Sequence, residues 1–221
     1  MPRGPRFIFE NAFYHVFNRG LNKQEIFLSD NDYYFFLRKL NYLKKKYDHS
    51  IYAYCVMPNH FHISIQTRKT PISKIMSSLS TSYSMYFNRT YSHFGPVFQN
   101  RFKSILIESN SYFLKLSQYI YLNPVKAKLV SDPKLYRFSS IREVLGKEPL
   151  NYLDQDIVRL IGETKESQKE YERYIYDGLS EDLTEIDKLF EKEEAVFGTN
   201  KFSTLAQKKY LRRKKKTKNK S

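Results

Sequence analysis

Tryptophan is absent from the 221 residues, and cysteine occurs once, at position 55. A single thiol cannot close an intrachain disulfide, and zinc sites built from several thiolates are excluded with it. No apolar run approaches the roughly 20 residues that a membrane-spanning helix needs. The opening MPRGPRFIFENAFYHV has no apolar core of the kind a secretory signal carries. These absences lead to the expectation of a cytoplasmic protein. Acidic side chains are also scarce over the first two thirds of the chain, where residues 1–149 hold 9 against 22 basic ones, a net of +13.

Hydrophobic residues make up 41% of the chain, enough to build a core. The formal charge of +15 is unevenly spread. Residues 150–207 hold 7 basic and 14 acidic side chains, a net of −7, and the last stretch, KKYLRRKKKTKNKS (208–221), holds 9 basic and none acidic. The chain therefore divides into a basic region (1–149), an acidic helical extension (150–207) and a basic tail (208–221), the tail expected to be disordered. A positive field of this size fits a polyanion, and nucleic acid comes before a membrane surface.

The apolar spacing predicts an α+β fold. FYHVFNRG reads as a strand ending at Gly20, followed by a helix capped by Ser29 or Asp30 with Phe36, Leu37, Leu40 and Leu43 on one stripe. SIYAYCV and HFHISIQ read as two strands joined by the turn MPN. A helix follows with Pro71 at its first position, then a strand through GPVFQNRFKSILIES, then a helix through SYFLKLSQYIYL that Asn123-Pro124 should end. The order is the split βαββαβ (ferredoxin-like, RRM-like) plan: an antiparallel sheet with helices on one face, plus an added helix. Residues 150–207 read as two or three charged helices, with breaks near GLSED and FGTN.

YCVMPNHFHISIQ (54–66) carries two of the five histidines. Side chains alternate along a strand, so His60, His62, Ser64 and Gln66 share one face while Phe61, Ile63 and Ile65 take the other. In the last helix of this region Tyr119 and Asn123 stand one turn apart on one face, and Tyr121 points elsewhere. Neutral imidazoles and an amide oxygen can hold a divalent cation with positions left for phosphate oxygens and water. A tyrosine hydroxyl beside such a cation becomes a usable nucleophile toward phosphorus. Residue by residue, each feature also has a structural explanation. His-x-His pairs occur on ordinary strands, the chain has 19 tyrosines, and asparagine before proline ends helices.

Five stretches in register remove that ambiguity: PRFIFENAFYHVFNRGLNKQEIF, YCVMPNHFHI, GPVFQNRFKSILIE, QYIYLNPVKAKLV and FSSIREVLG. Over roughly residues 2–146 the chain resembles the REP-associated tyrosine transposases, single-tyrosine members of the HUH (His-hydrophobic-His) endonuclease superfamily related to small insertion-sequence transposases. The resemblance implies that His60 and His62 bind a divalent cation (Mg²⁺ or Mn²⁺), that Asn123 supplies a third ligand, and that Tyr119 is the nucleophile. It implies cleavage of single-stranded, hairpin-associated DNA through a 5′-phosphotyrosine link, in a bacterial, nucleoid-associated setting, by a monomer or a homodimer. The chain departs from the family at Lys126 and Lys128, where arginine and glycine are commoner, and in lacking the tryptophan common near FSS.

Arg19, Arg101 and Lys103 are candidate phosphate contacts, and Arg3 and Arg6 could reach DNA from an N-terminal arm. His15, within FYHVF, reads as a core or sheet-surface histidine, and His49 and His93 as turn residues. The rival readings are a nucleic-acid-binding module without catalysis, since this α+β plan also serves RNA binding, and a domesticated protein acting on repeat hairpins.

Overall fold

The computed structural model describes residues 7–108, 111–180 and 196–218. Strand β1 (Phe13–Arg19) leads to α1 (Asp30–Tyr47), β2 (His49–Met57), β3 (His60–Thr67), α2 (Ile72–Thr90), β4 (Lys103–Ile107) and α3 (Ser111–Lys126). The strand order β2-β3-β1-β4 is that of the split βαββαβ plan, and all three of these pairings are antiparallel. A fifth strand, β5 (Val196–Phe197), which the sequence did not predict, joins β4 in parallel and makes the sheet mixed.

Local chemistry explains most element ends. Ser29 and Asp32 form a reciprocal capping box at the start of α1, and the buried Asp32 carboxylate also accepts from the hydroxyls of Tyr86 and Tyr91 on and just beyond α2. Pro71 takes the N-cap of α2 rather than its first helical position. Two element boundaries differ from those predicted. Residues 95–102 form no continuous strand but make a single antiparallel bridge, Phe98 with Gly20, just past the end of β1: Leu21 donates to Val97 O at 3.0 Å, and Gln99 donates to Arg19 O at 2.9 Å. Helix α3 does not stop at Asn123 but runs through Pro124 to Lys126. The proline falls within the last turn, where its missing N–H costs one bond rather than a ladder.

Helices α1 and α2 pack on one face of the sheet, where Phe61 meets Phe36 at 4.8 Å between ring centroids, with Tyr83 5.4 Å from Phe36. The other face is not left open, as helices on one face alone would require. Helix α3 lies across it, so the histidines sit between sheet and helix.

The extension is fastened to this core. The buried carboxylate of Glu143, in the short helix α4 (Ile141–Val144), accepts from Tyr54 Oη at 2.6 Å and from the backbone N–H groups of Asn151, Tyr152 and Leu153 at 2.8–3.3 Å. Helix α5 (Gln155–Ile161) is followed by α6 (Lys165–Asp177), which packs on α3: the Ser117 and Tyr171 hydroxyls are 2.6 Å apart, and Gln118 Nε2 donates to Tyr174 O. Helix α7 (Asn200–Lys218) runs well into the basic tail, where disorder was expected. Phe202, Ala206 and Tyr210, four residues apart, give it an apolar stripe, and lysine and arginine are good helix formers that let it extend.

Candidate active site

Two rows of side chains cross the sheet beneath α3. Residues paired across antiparallel strands share a face, so Cys55, His62, Phe17 and Lys103 form one row and Met57, His60 and Arg19 the next. The two-residue turn Pro58-Asn59 between β2 and β3 is held by the segment after β1. Gly20 N donates to Asn59 O at 2.8 Å, and the N–H groups of Ile26 and Phe27 converge on Pro58 O. The approach at Gly20 is so close that a Cβ there would stand 2.3 Å from Gln24 O, which only glycine allows.

Each histidine of the pair has its Nδ1 engaged. His60 Nδ1 lies 2.5 Å from Asn59 Oδ1, and the same amide donates through Nδ2 to Lys23 O at 3.0 Å. That second bond turns Oδ1 toward His60, so Nδ1 of His60 carries the hydrogen and Nε2 keeps its lone pair. His62 Nδ1 lies 2.8 Å from Nε2 of His15. Burial holds the His60 imidazolium pKa down to about 4, with the Arg19 charge adding to the effect. Burial, followed by His15 and His60, holds that of His62 well below its ordinary value. Both rings are neutral at physiological pH, as ligands to a cation must be.

Tyr119, 7% exposed, stands edge-on to His62 with ring centroids 5.6 Å apart and planes at 81°. Tyr121 has no exposed surface, and its hydroxyl lies 3.2 Å from Ser140 Oγ. Desolvation holds its phenol well above the ordinary pKa. The half-buried Asn123 donates Nδ2 to Tyr119 O at 2.8 Å, leaving Oδ1 as the free end of the amide. Among the described residues no three His, Cys, Asp or Glu side chains cluster to hold a metal. A divalent cation here would have to use a mixed set, and two imidazole Nε2 atoms with an amide oxygen fit one that also binds phosphate and water.

Arg19 pairs with His60 across the strands and points its guanidinium toward Gln99 Oε1, 3.5 Å away. Lys103 Nζ lies 6.0 Å from the centre of the Phe17 ring, on the same face, and Arg101 is exposed on the preceding loop. Arg3 and Arg6 lie outside the described residues. Sequence reading missed Asn59 and the bond that His15 makes. His15 is buried, as a core residue would be, but its neighbour is His62. The signal for Asn59 was its place immediately before the first histidine. His49, read as a turn residue, begins β2 and is buried.

The family model for IS200-like transposases matches residues 9–123, a span that includes both histidines, Tyr119 and Asn123. The chain belongs to the IS200-like transposase family. Its fold is similar to that of a REP-associated tyrosine transposase solved bound to a REP hairpin, with a TM-score of 0.54 and 21% identity over 70% of this chain and 92% of that one. A protein described as a transposase from Deinococcus radiodurans R1 is more distant, with a TM-score of 0.39 and 15% identity over 54% of this chain and 95% of that one. No curated protein matches. Among the described residues no helix is long and apolar enough to cross a membrane.

Proposed function

We propose that this transposase is a metal-dependent, single-stranded DNA endonuclease and strand transferase with Tyr119 as its nucleophile. The observation that carries the reading is the ring of Tyr119 standing against His62 within one chain, 5.6 Å centroid to centroid. Mg²⁺ or Mn²⁺, held by His60, His62 and Asn123, would polarise the scissile phosphate and favour the phenolate. The Tyr119 oxygen bonds to phosphorus, the bond from phosphorus to the 3′ oxygen breaks, and the departing oxygen takes a proton to become a free 3′-hydroxyl. The 5′ side stays on the tyrosine, so the diester energy is kept for rejoining to another 3′ end.

Arg19, Arg101 and Lys103 would neutralise the strand that crosses this face. The tyrosine stands against the histidines of its own chain, and the acting unit is a monomer or a homodimer. Binding of a REP hairpin by the structural relative supports a hairpin-associated substrate for this chain too. The test is covalent capture. With single-stranded hairpin DNA from its own genome and Mn²⁺, the protein should form an adduct that survives denaturation. Tyr119→Phe should abolish the adduct and leave DNA binding within a few-fold of wild type. An adduct persisting in Tyr119→Phe refutes the assignment.

A further inference from the structure

We propose that His15 is a positioning residue, an acceptor whose Nε2 fixes the tautomer and ring plane of His62 so that His62 offers Nε2 to the cation. The inference rests on the metal-binding reading of His60 and His62.

His15, on β1, has no exposed surface, and its ring faces Tyr119 of α3. Burying an imidazole costs free energy that an aliphatic or phenyl side chain in the same place would not. What the imidazole adds here is the 2.8 Å approach of its Nε2 to Nδ1 of His62. The two rings are nearly parallel, at 17° with centroids 5.0 Å apart, and Phe17 stacks against both, 4.9 Å from His15 and 5.7 Å from His62. Tyr119 stands edge-on across the same pair, 6.2 Å from His15 and 5.6 Å from His62. The plane of His62 is therefore set from three sides.

A bond between two imidazole nitrogens needs one donor and one acceptor, and the two arrangements differ in consequence. If His15 donated, His62 would carry its hydrogen on Nε2 and have no lone pair left for a cation. If His15 accepts, both rings carry hydrogen on Nδ1, and His62 Nε2 is free to ligate. His60 obtains the same tautomer from Asn59 Oδ1, an atom that can only accept. The two ligands are thus oriented by different partners, an amide oxygen for one and an imidazole for the other, as outer groups commonly orient metal-binding histidines.

Two measurements test this. In the unmodified protein near neutral pH, ¹⁵N-resolved NMR of the imidazole rings should report the Nδ1–H tautomer for both His15 and His62. Hydrogen on Nε2 of His62 would overturn the proposal without any substitution. Calorimetric titration with Mn²⁺ then compares two variants. His15→Phe keeps the ring stack but loses the acceptor and should weaken Mn²⁺ binding about 10–100-fold. His15→Gln can present an oxygen where Nε2 stood and should stay within a few-fold of wild type. Wild-type affinity in His15→Phe, or equal loss in both variants, overturns the positioning role. His62→Ala separates the underlying reading: if it leaves Mn²⁺ affinity unchanged, the metal site itself is wrong, whereas a loss there with none in His15→Phe removes only His15.

Discussion

Asn123 donates its side-chain Nδ2 to the carbonyl oxygen of Tyr119, 2.8 Å away and one turn back along α3. The bond ties the amide to the backbone of Tyr119 and settles which end of the amide faces outward.

On the proposed ligand set, Asn123→Ala should weaken Mn²⁺ binding by less than His60→Ala or His62→Ala, since it leaves both imidazoles in place and an amide oxygen is the weaker donor. Each histidine variant should abolish cleavage. Phe61→Ala, between the histidines but buried on the opposite face, should cost about 3–5 kcal/mol of stability with little effect on metal affinity per folded molecule. Titration calorimetry with urea unfolding separates the two classes. A Phe61→Ala protein that is fully stable but unable to bind Mn²⁺ would contradict the face assignment.

The two tyrosines of YIY make opposite predictions. Tyr121→Phe removes the hydroxyl that faces Ser140 and should cost about 1 kcal/mol, leaving covalent capture intact. Tyr119→Phe should remove capture. Exchange of those phenotypes would mean that the helix presents its other face to DNA.

Histidine periodicity made the division of faces in the candidate site legible. Alternation along HFHISIQ separates His60 and His62 from Phe61, Ile63 and Ile65, and the structure has the same division of faces. Four-residue spacing on a helix likewise puts Asn123 in line with Tyr119. The partners of the histidines were not legible, because they depend on pairings between distant segments. His15 meets His62 only when β1 is laid beside β3, 47 residues later. The strand expected through GPVFQNRFKSILIES is continuous only over β4, with a single bridge at Phe98 before it. Charge counting misplaced the start of the tail, since a charge total at Lys208 does not register that Ala206 and Tyr210 continue one apolar stripe.

Acid sensitivity should have a component far from the site. His49 is 3% exposed, and neither ring nitrogen has a hydrogen-bond partner among the described residues. Burial, helped by the Lys44 charge, lowers its pKa from 6.5 to about 4. The unfolded chain then takes up a proton before the folded one as pH falls. Its contribution is whole above pH 6.5 and is lost between 6.5 and 4, at no more than about 1.4 kcal/mol per pH unit. His49→Phe removes both the titration and the unsatisfied nitrogens. Urea unfolding at about pH 7, 6 and 5 should show equal or higher stability at neutral pH and a shallower loss on acidification. An identical slope in both proteins would place the acid sensitivity elsewhere.

The basic end of the chain can be divided at Leu211. Up to that point helix α7 is tied down: the Tyr210 and Phe7 rings are 5.0 Å apart, and Lys209 Nζ lies 4.9 Å from the centre of the Phe9 ring. Truncation before Lys208 would remove this packing along with the charge and confuse the two effects. Truncation after Leu211 removes seven of the nine basic residues of the tail and leaves the packed stripe in place. Lysine and arginine without base-reading partners add affinity through counterion release, which does not depend on sequence. The shortened protein should therefore bind specific and scrambled single strands more weakly and to a similar degree. Its plot of log affinity against log salt should flatten by roughly 0.7 for each phosphate that the tail no longer neutralises. Cleavage at saturating DNA should survive, because His60, His62, Tyr119 and Asn123 all lie within residues 1–149. An unchanged salt slope would mean that the tail does not face the DNA at all, and the acidic extension at 150–207, with its net charge of −7, would be the counterpart to test next.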